Sequence, residues 1–349
     1  MSVGSHFKIL LHALHSLIHY KGGLNHKMRS KIFTKKRGII WVALFVSLVF
    51  LSRVAYSEER ENFKPRLSIK LTGGLVYMNL GDINESLDSH SALGENAKRY
   101  WPTSFSFTDE IENIHYGANF EGELIINIVS GFGIGIGIEL IHARKESYSI
   151  MRGEKSYEYF YTRYTVRESY EQKITVIPIK LGIYYRLPLF PRTALLFNIG
   201  GGYYFTKSSL FDDQHRDLYW YIVDIEEHQE VTYAEHTCKV SGGNYGWHGG
   251  IGFEWSLSKN FSIIIEGQGR YVKIKELKGK DIMITSWGVK KKFYGTLWYY
   301  NYKSDDHYNT SLVLSDRMLE SLRPTDTYRK AILDLSGLSV RIGIRIKLF

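Results

Sequence analysis

Cysteine, proline and methionine are scarce: one Cys, six Pro and six Met in 349 residues. A lone Cys238 closes no internal disulfide, so a disulfide scaffold is excluded. With so little proline and 44% apolar residues, neither a collagen-like repeat nor intrinsic disorder fits. After residue 57 no uncharged apolar run is long enough for a transmembrane helix. That part also lacks net charge. The formal +9 comes from residues 1–57, which carry nine Lys or Arg and no Asp or Glu, and the remainder balances 36 basic against 36 acidic residues. The basicity is thus local, and no nucleic-acid partner is indicated. The length allows one large domain or two ordinary ones.

What is abundant is aromatic: 26 Tyr, 18 Phe and 7 Trp. The basic N-terminal segment reads as an export signal. Lys35-Lys36-Arg37 precedes the thirteen-residue uncharged run Ile39–Leu51, and Ala55-Tyr56-Ser57 places small residues where a signal peptidase reads them. A membrane anchor is the rival reading, but it needs about 20 apolar residues. Met28 starts a signal of more usual length than Met1. The expected organisation is an extension with a cleaved signal over 1–57 and one domain over 58–349.

That domain alternates with period two. In Phe132–Leu140, Phe132, Ile134, Ile136, Ile138 and Leu140 take one face and Gly133, Gly135, Gly137 and Glu139 the other. The C-terminus repeats this, with Leu338, Val340, Ile342, Ile344 and Ile346 opposite Ser339, Arg341, Gly343, Arg345 and Lys347. Six more such strands are expected near 66–80, 116–128, 174–187, 193–205, 245–257 and 261–273. Turns of a few residues join strands two to three, four to five and six to seven. Long connections fall at about 81–115, 142–173, 206–244 and 274–335. An even strand number with short turns at one end and long loops at the other predicts an all-β fold: an eight-stranded antiparallel up-and-down transmembrane β-barrel with short periplasmic turns and four long extracellular loops.

Alternation does not say which face is outside. A lipocalin-like soluble barrel turns its apolar face in, and a membrane barrel turns it out. Three features favour lipid outside. Glycine is concentrated on the polar face, where a narrow lumen needs small residues beside large ones. That face carries both signs of charge, with Lys70, Lys180, Arg186, Arg270, Arg341 and Arg345 able to pair with Glu121, Glu123, Glu139, Glu254 and Glu266, as an enclosed lumen requires. Aromatics such as Tyr77, Tyr116, Tyr185, Tyr203, Trp247 and Tyr271 gather near strand ends, where interfacial girdles lie.

With the signal segment, the eight strands, the I-P-I-K-L-G run at Ile177–Gly182 and the final S-V-R-I-G-I-R-I-K-L-F in view, the chain resembles the small outer-membrane β-barrel proteins of Gram-negative bacteria, the OmpA/OmpX- and OmpW-like group. The resemblance covers about 66–349 and rests on architecture. It implies outer-membrane localisation, contact with outer-membrane lipid, and a C-terminal aromatic, here Phe349, read by the barrel-assembly machinery. One departure is visible: Leu348, not Phe349, is in phase with Ile346. The group spans adhesion, structural anchoring, passage of small hydrophobic molecules and lipid modification, and membership does not choose among these.

Candidate chemistry is sparse. Gly131–Gly137 lacks the G-x-G-x-x-G spacing and a following helix, so it reads as strand. His215, His228, His236 and Cys238 fall in one long connection without a known metal-ligand spacing. A lipid-modifying hydrolase needs Ser and His adjacent at the outer rim; His142 and His307 are near or within long connections, but no pair stands out. The expectation is no cofactor, no metal and no catalysis. The lumen charges read as a structural plug, with a gated polar path as the alternative. Lys290-Lys291-Lys292-Phe293-Tyr294 and Trp298-Tyr299-Tyr300-Asn301-Tyr302 form a basic aromatic patch suited to an extracellular ligand. A structural or surface-recognition role leads, followed by a narrow channel or carrier for small solutes and then by a lipid-modifying hydrolase.

Overall fold

The computed structural model describes residues 66–89, 105–156, 160–222, 225–304, 307–317 and 326–348. The export segment 1–57 and Phe349 lie outside them. In chain order the strands are β1 (Arg66–Met78), β2 (Phe105–Asp109), β3 (Tyr116–Val129), β4 (Phe132–Ser156), β5 (Phe160–Phe190), β6 (Thr193–Ile222), β7 (Ile225–Ser256), β8 (Phe261–Tyr271), β9 (Lys273–Ile274), β10 (Lys278–Thr285), β11 (Lys290–Ser304), β12 (His307–Ser315), β13 (Thr327–Lys330), β14 (Leu333–Asp334) and β15 (Gly337–Lys347). A short helix covers 82–89.

Eight strands pair antiparallel in a closed ring: β1, β3, β4, β5, β6, β7, β8 and β15, with β15 returning to β1. Closure leaves the ring no unpaired edge. The three short turns stand where the spacing places them. In the first, Gly131 adopts φ +76°, and a Cβ there would meet the Arg186 carbonyl at 2.8 Å, so this turn requires glycine.

The expected loops at 142–173 and 206–244 are corrected. β4 and β5 stay paired to Ser156↔Tyr161, and β6 and β7 to Ile222↔Ile225. The region 274–335 is also strand in large part, because β10 pairs with β7, β11 with β10, and both β12 and β13 with β11. β2 adds to β4.

The reason is a reversal of polarity along unbroken strands. On β4, Ile136, Ile138 and Leu140 are exposed outside and Glu139 is buried inside; one step further Ile141 and Ala143 are buried inside, and Arg144 and Glu146 are exposed. β5 changes between Ile177, exposed, and Val176 and Ile174, buried. β1 changes at Val76 and Met78, and the chain after β8 at Val272 and Ile274. Pleating continues with period two, but the apolar set changes face.

Beyond the change the inward residues build an apolar cap across one mouth of the ring. Its core includes Val76, Met78, Ile141, Val176, Val240, Val272, Leu297, Leu333 and Leu335. Full burial of each large aliphatic side chain contributes about 1.5–3 kcal/mol. The 82–89 helix is fastened over this mouth. Asp82 takes a bidentate contact from Arg329 and accepts the Ile332 N–H at 2.7 Å, and Asn84 donates to the Ile114 carbonyl at 2.9 Å. Leu80 holds φ at 61°, a left-handed conformation costing about 1–3 kcal/mol in a bulky residue, offset here by complete burial of its side chain.

Candidate functional site

All eleven charged residues expected on the polar face lie on the inner side of the ring strands, and the structure joins them into two clusters. The ladder sets Lys70 opposite Glu123 and Arg341 opposite Glu266. It also sets Glu121 opposite Glu139, a repulsive arrangement if left alone. Lys180 resolves it by reaching Glu121 at 2.5 Å and Glu139 at 3.1 Å. Arg341 pairs with Glu121 and, at 2.5 Å, with Glu266, while Lys70 pairs with Glu123 and, at 3.1 Å, with Glu266. Arg270 lies 3.8 Å from Glu139 and donates to the Leu335 carbonyl at 3.1 Å. Nearer the short turns, Glu254 gathers Arg345 and Arg186, each at 3.2 Å, and Lys347 at 3.5 Å.

Glycine makes the space for this network. A Cβ on Gly137 would lie 2.5 Å from Glu123 Cγ, and one on Gly135 would lie 2.6 Å from the Tyr184 ring. Reasoning from sequence did not assign the neutral members of the network. Tyr184 donates to Glu123, Asn119 donates to Glu139 at 2.6 Å, and Gln268 accepts from Lys180 at 3.4 Å. They occupy the same alternating phase as the charges, and that phase was the available signal. Lys347 was missed as a partner for the same reason. Between the clusters a cavity of about 10 Å³, lined in part by Lys70, Tyr184 and Arg345, has room for roughly one water.

The outside of the ring is apolar. Leu181 is 60% exposed, Ile342 61% and Trp247 71%. Tyr77 meets Tyr116 edge-on at 5.6 Å and Tyr203 meets Tyr245 at 5.0 Å, near the cap. Phe132, Phe190 and Trp255 are exposed near the short turns. On β7 the outward series runs from Tyr245 to Trp255. Ten residues at about 3.4 Å each, tilted by about 40°, give a belt ~26 Å tall, the height of a transmembrane barrel's apolar band.

The basic aromatic patch is divided rather than continuous. Lys290, Lys291, Lys292, Phe293 and Tyr294 are exposed on β11. Tyr299 is corrected: it is 5% exposed, belongs to the cap core, and carries the Arg329 guanidinium 4.0 Å over its ring, so it is not a contact residue. Trp298 donates to the Ser315 carbonyl at 3.3 Å. Tyr300 stacks on Tyr302 at 4.9 Å and on Tyr328 at 4.2 Å, and donates to Asp326 at 2.9 Å.

The histidines of the β6–β7 hairpin are spread along its register. Register sets His215 opposite Tyr233, His228 opposite Trp220 and His236 opposite Asp212. His236 faces Asp281 at 2.9 Å. Among the described residues, no group of three or more His, Cys, Asp or Glu is placed to hold a metal ion. His142 Nδ1 lies 3.2 Å from Thr175 Oγ1, and no carboxylate hydrogen-bonds that ring among the described residues. Cys238 is buried, and desolvation followed by the Asp281 carboxylate pushes its thiol up to about 12. At pH 8 the reactive thiolate is then a fraction of roughly one in ten thousand. Folded protein should leave maleimide unreacted over hours and take it up at once in denaturant; rapid labelling of the folded form would place Cys238 elsewhere.

No family model matches this chain, and no curated protein does. Solved structures to which the chain is similar include the outer membrane protein OprG from Pseudomonas aeruginosa (10% identity, over 81% of this chain and 95% of that one, TM-score 0.31). A major outer membrane protein from Thermus thermophilus is similar over 82% of this chain and 100% of that one, at 10% identity and TM-score 0.30. CarO from Acinetobacter baumannii is similar over 70% and 95%, at 12% identity and TM-score 0.28. Likeness of this degree carries no argument about role.

Proposed function

We propose that the chain is an outer-membrane β-barrel with a closed lumen, and that the sheet beyond the membrane gives it a structural or surface-recognition role rather than a catalytic one. The observation that carries this reading is the reversal of polarity. A closed ring that exposes an apolar belt, and whose strands change to exposed polar and buried apolar residues at one level, suits a molecule passing from lipid to water. In this reading 1–57 delivers the chain to the export machinery, the last strand with Phe349 is read by the barrel-assembly machinery, and outer-membrane lipid surrounds the belt. Eight strands fit as the count because the ring closes with that number.

The channel reading is less well supported. A solute entering from the short turns would have to displace Glu254 and its three cations, then the Lys180–Glu121–Arg341 cluster, and then the cap. Each buried pair broken singly costs about 3–5 kcal/mol. A hydrolase would need an acid orienting a His beside a nucleophile, and the His142–Thr175 contact has none among the described residues.

The test pairs two measurements on protein from outer-membrane fractions. Gel mobility with and without boiling in detergent should differ, the unboiled form running faster. Reconstitution into planar bilayers should give no steady conductance. Protein that stays soluble in the periplasm without a mobility shift would sink the barrel reading, and stable single-channel steps would sink the closed lumen.

A further inference from the structure

On the outward face, just beyond the apolar belt, neighbouring strands bring lysines into rows. Lys173 on β5 lies opposite Ser209 on β6, Ser209 opposite Lys239 on β7, and Lys239 opposite Lys280 on β10. The adjoining row runs from Lys207 on β6 through Ser241 on β7 to Lys278 on β10. Directly paired residues in an antiparallel sheet share a face, so these five lysines form one surface. All are exposed, and among the described residues none is in an ion pair. Of the acids on this side, Glu146 and Glu171 contact Arg144, and Glu276 contacts Lys330 while also attracting Lys278 at the end of the ladder. Asp281 is on the opposite, buried face with His236.

This arrangement works against the fold unless something neutralises it. Like charges directly opposite destabilise a sheet, and Lys239 and Lys280 stand so. Height above the belt identifies the neutraliser. Lys207 is two residues beyond Phe205, Lys173 four beyond Ile177 and Lys239 six beyond Tyr245, all in the outward phase. At about 3.3 Å per residue and a tilt of about 40°, they lie ~5 to 15 Å past the belt, in and above the headgroup zone.

We infer that this lysine ladder docks phosphate-bearing lipid headgroups of the outer leaflet, of the phosphorylated glycolipid type found in lipopolysaccharide. The inference rests on the reading of the chain as an outer-membrane barrel. Ammonium groups supply the charge, and the Ser209 and Ser241 hydroxyls between them supply donors to phosphate oxygens. The ladder occupies only the β5–β10 side, so the bound lipid gathers on one flank.

The experiment uses the full chain folded in detergent micelles and immobilised, and measures how much lipopolysaccharide it retains. The quadruple variant Lys173→Gln, Lys207→Gln, Lys239→Gln and Lys280→Gln should retain roughly tenfold less or lower, since each basic group near an anionic surface strengthens binding several-fold. Arginine at the same four positions should keep retention, and dephosphorylated lipopolysaccharide should not be held. Millimolar inorganic phosphate should leave the lipid in place. Unchanged retention by the Gln variant, equal retention of the dephosphorylated lipid, or displacement by inorganic phosphate would overturn the ladder. The boiling-dependent mobility shift is read on every sample. A shift with unchanged retention defeats the ladder alone, whereas a wild-type chain with no shift defeats the barrel reading beneath it.

Discussion

Arg341→Ala should lower the stability of the folded protein by about 3–5 kcal/mol, read as a drop in the urea midpoint of the fast-migrating form. Arg341 is 1% exposed at the centre of the larger cluster. Removing its guanidinium leaves Glu121 to Lys180 alone and Glu266 to Lys70 alone. Two buried carboxylates then share less positive charge. The volume lost adds to the penalty. Arg341→Lys keeps the charge but cannot span both carboxylates, so it should fall between the two. Adding Glu121→Gln to the alanine variant should recover part of the loss by removing a stranded charge. A midpoint for Arg341→Ala within error of wild type would mean the network is not what holds the lumen.

The second large effect concerns the outside. Leu181 stands mid-belt on β5, and Leu75 stands beside the Tyr77 girdle on β1; they are 60% and 71% exposed. Arginine at the middle of an apolar belt in lipid costs about 2–4 kcal/mol, but only about 0–1 near the interface. Leu181→Arg should therefore destabilise protein refolded into lipid vesicles several times more than Leu75→Arg. On a water-facing surface both substitutions would fall within about 0.5 kcal/mol of wild type. Depth dependence thus separates lipid from water outside, and equal indifference at the two sites would turn the belt toward water.

The ring was legible because half-buried strands print their two faces in alternate residues, and 132–140 and 338–347 do so cleanly. Faces were readable but partners were not. Lys180 could be assigned to the polar side, yet its reach across Gly137 to Glu121 and Glu139 depends on register and on space left by glycine. Strand ends were illegible for a specific reason. After Leu140 the residues keep alternating, but Ile141 and Ala143 take the face that Glu139 held. A rule equating apolar residues with one face reads that change as the end of a strand. The same reversal concealed 160–173 on β5 and 225–244 on β7. Tyr299 could not be told from its neighbours in an aromatic run, because its burial comes from Arg329 and the cap, both remote in sequence from β11.

The unbroken passage of β4 to β7 from ring to outer sheet has a mechanical consequence. A pull on the tips of these hairpins acts along the strands and loads their ladder bonds in shear, many at once, instead of peeling them open in succession. The sheet joins the ring without a hinge, so tension applied at the surface is carried directly into the wall of the barrel.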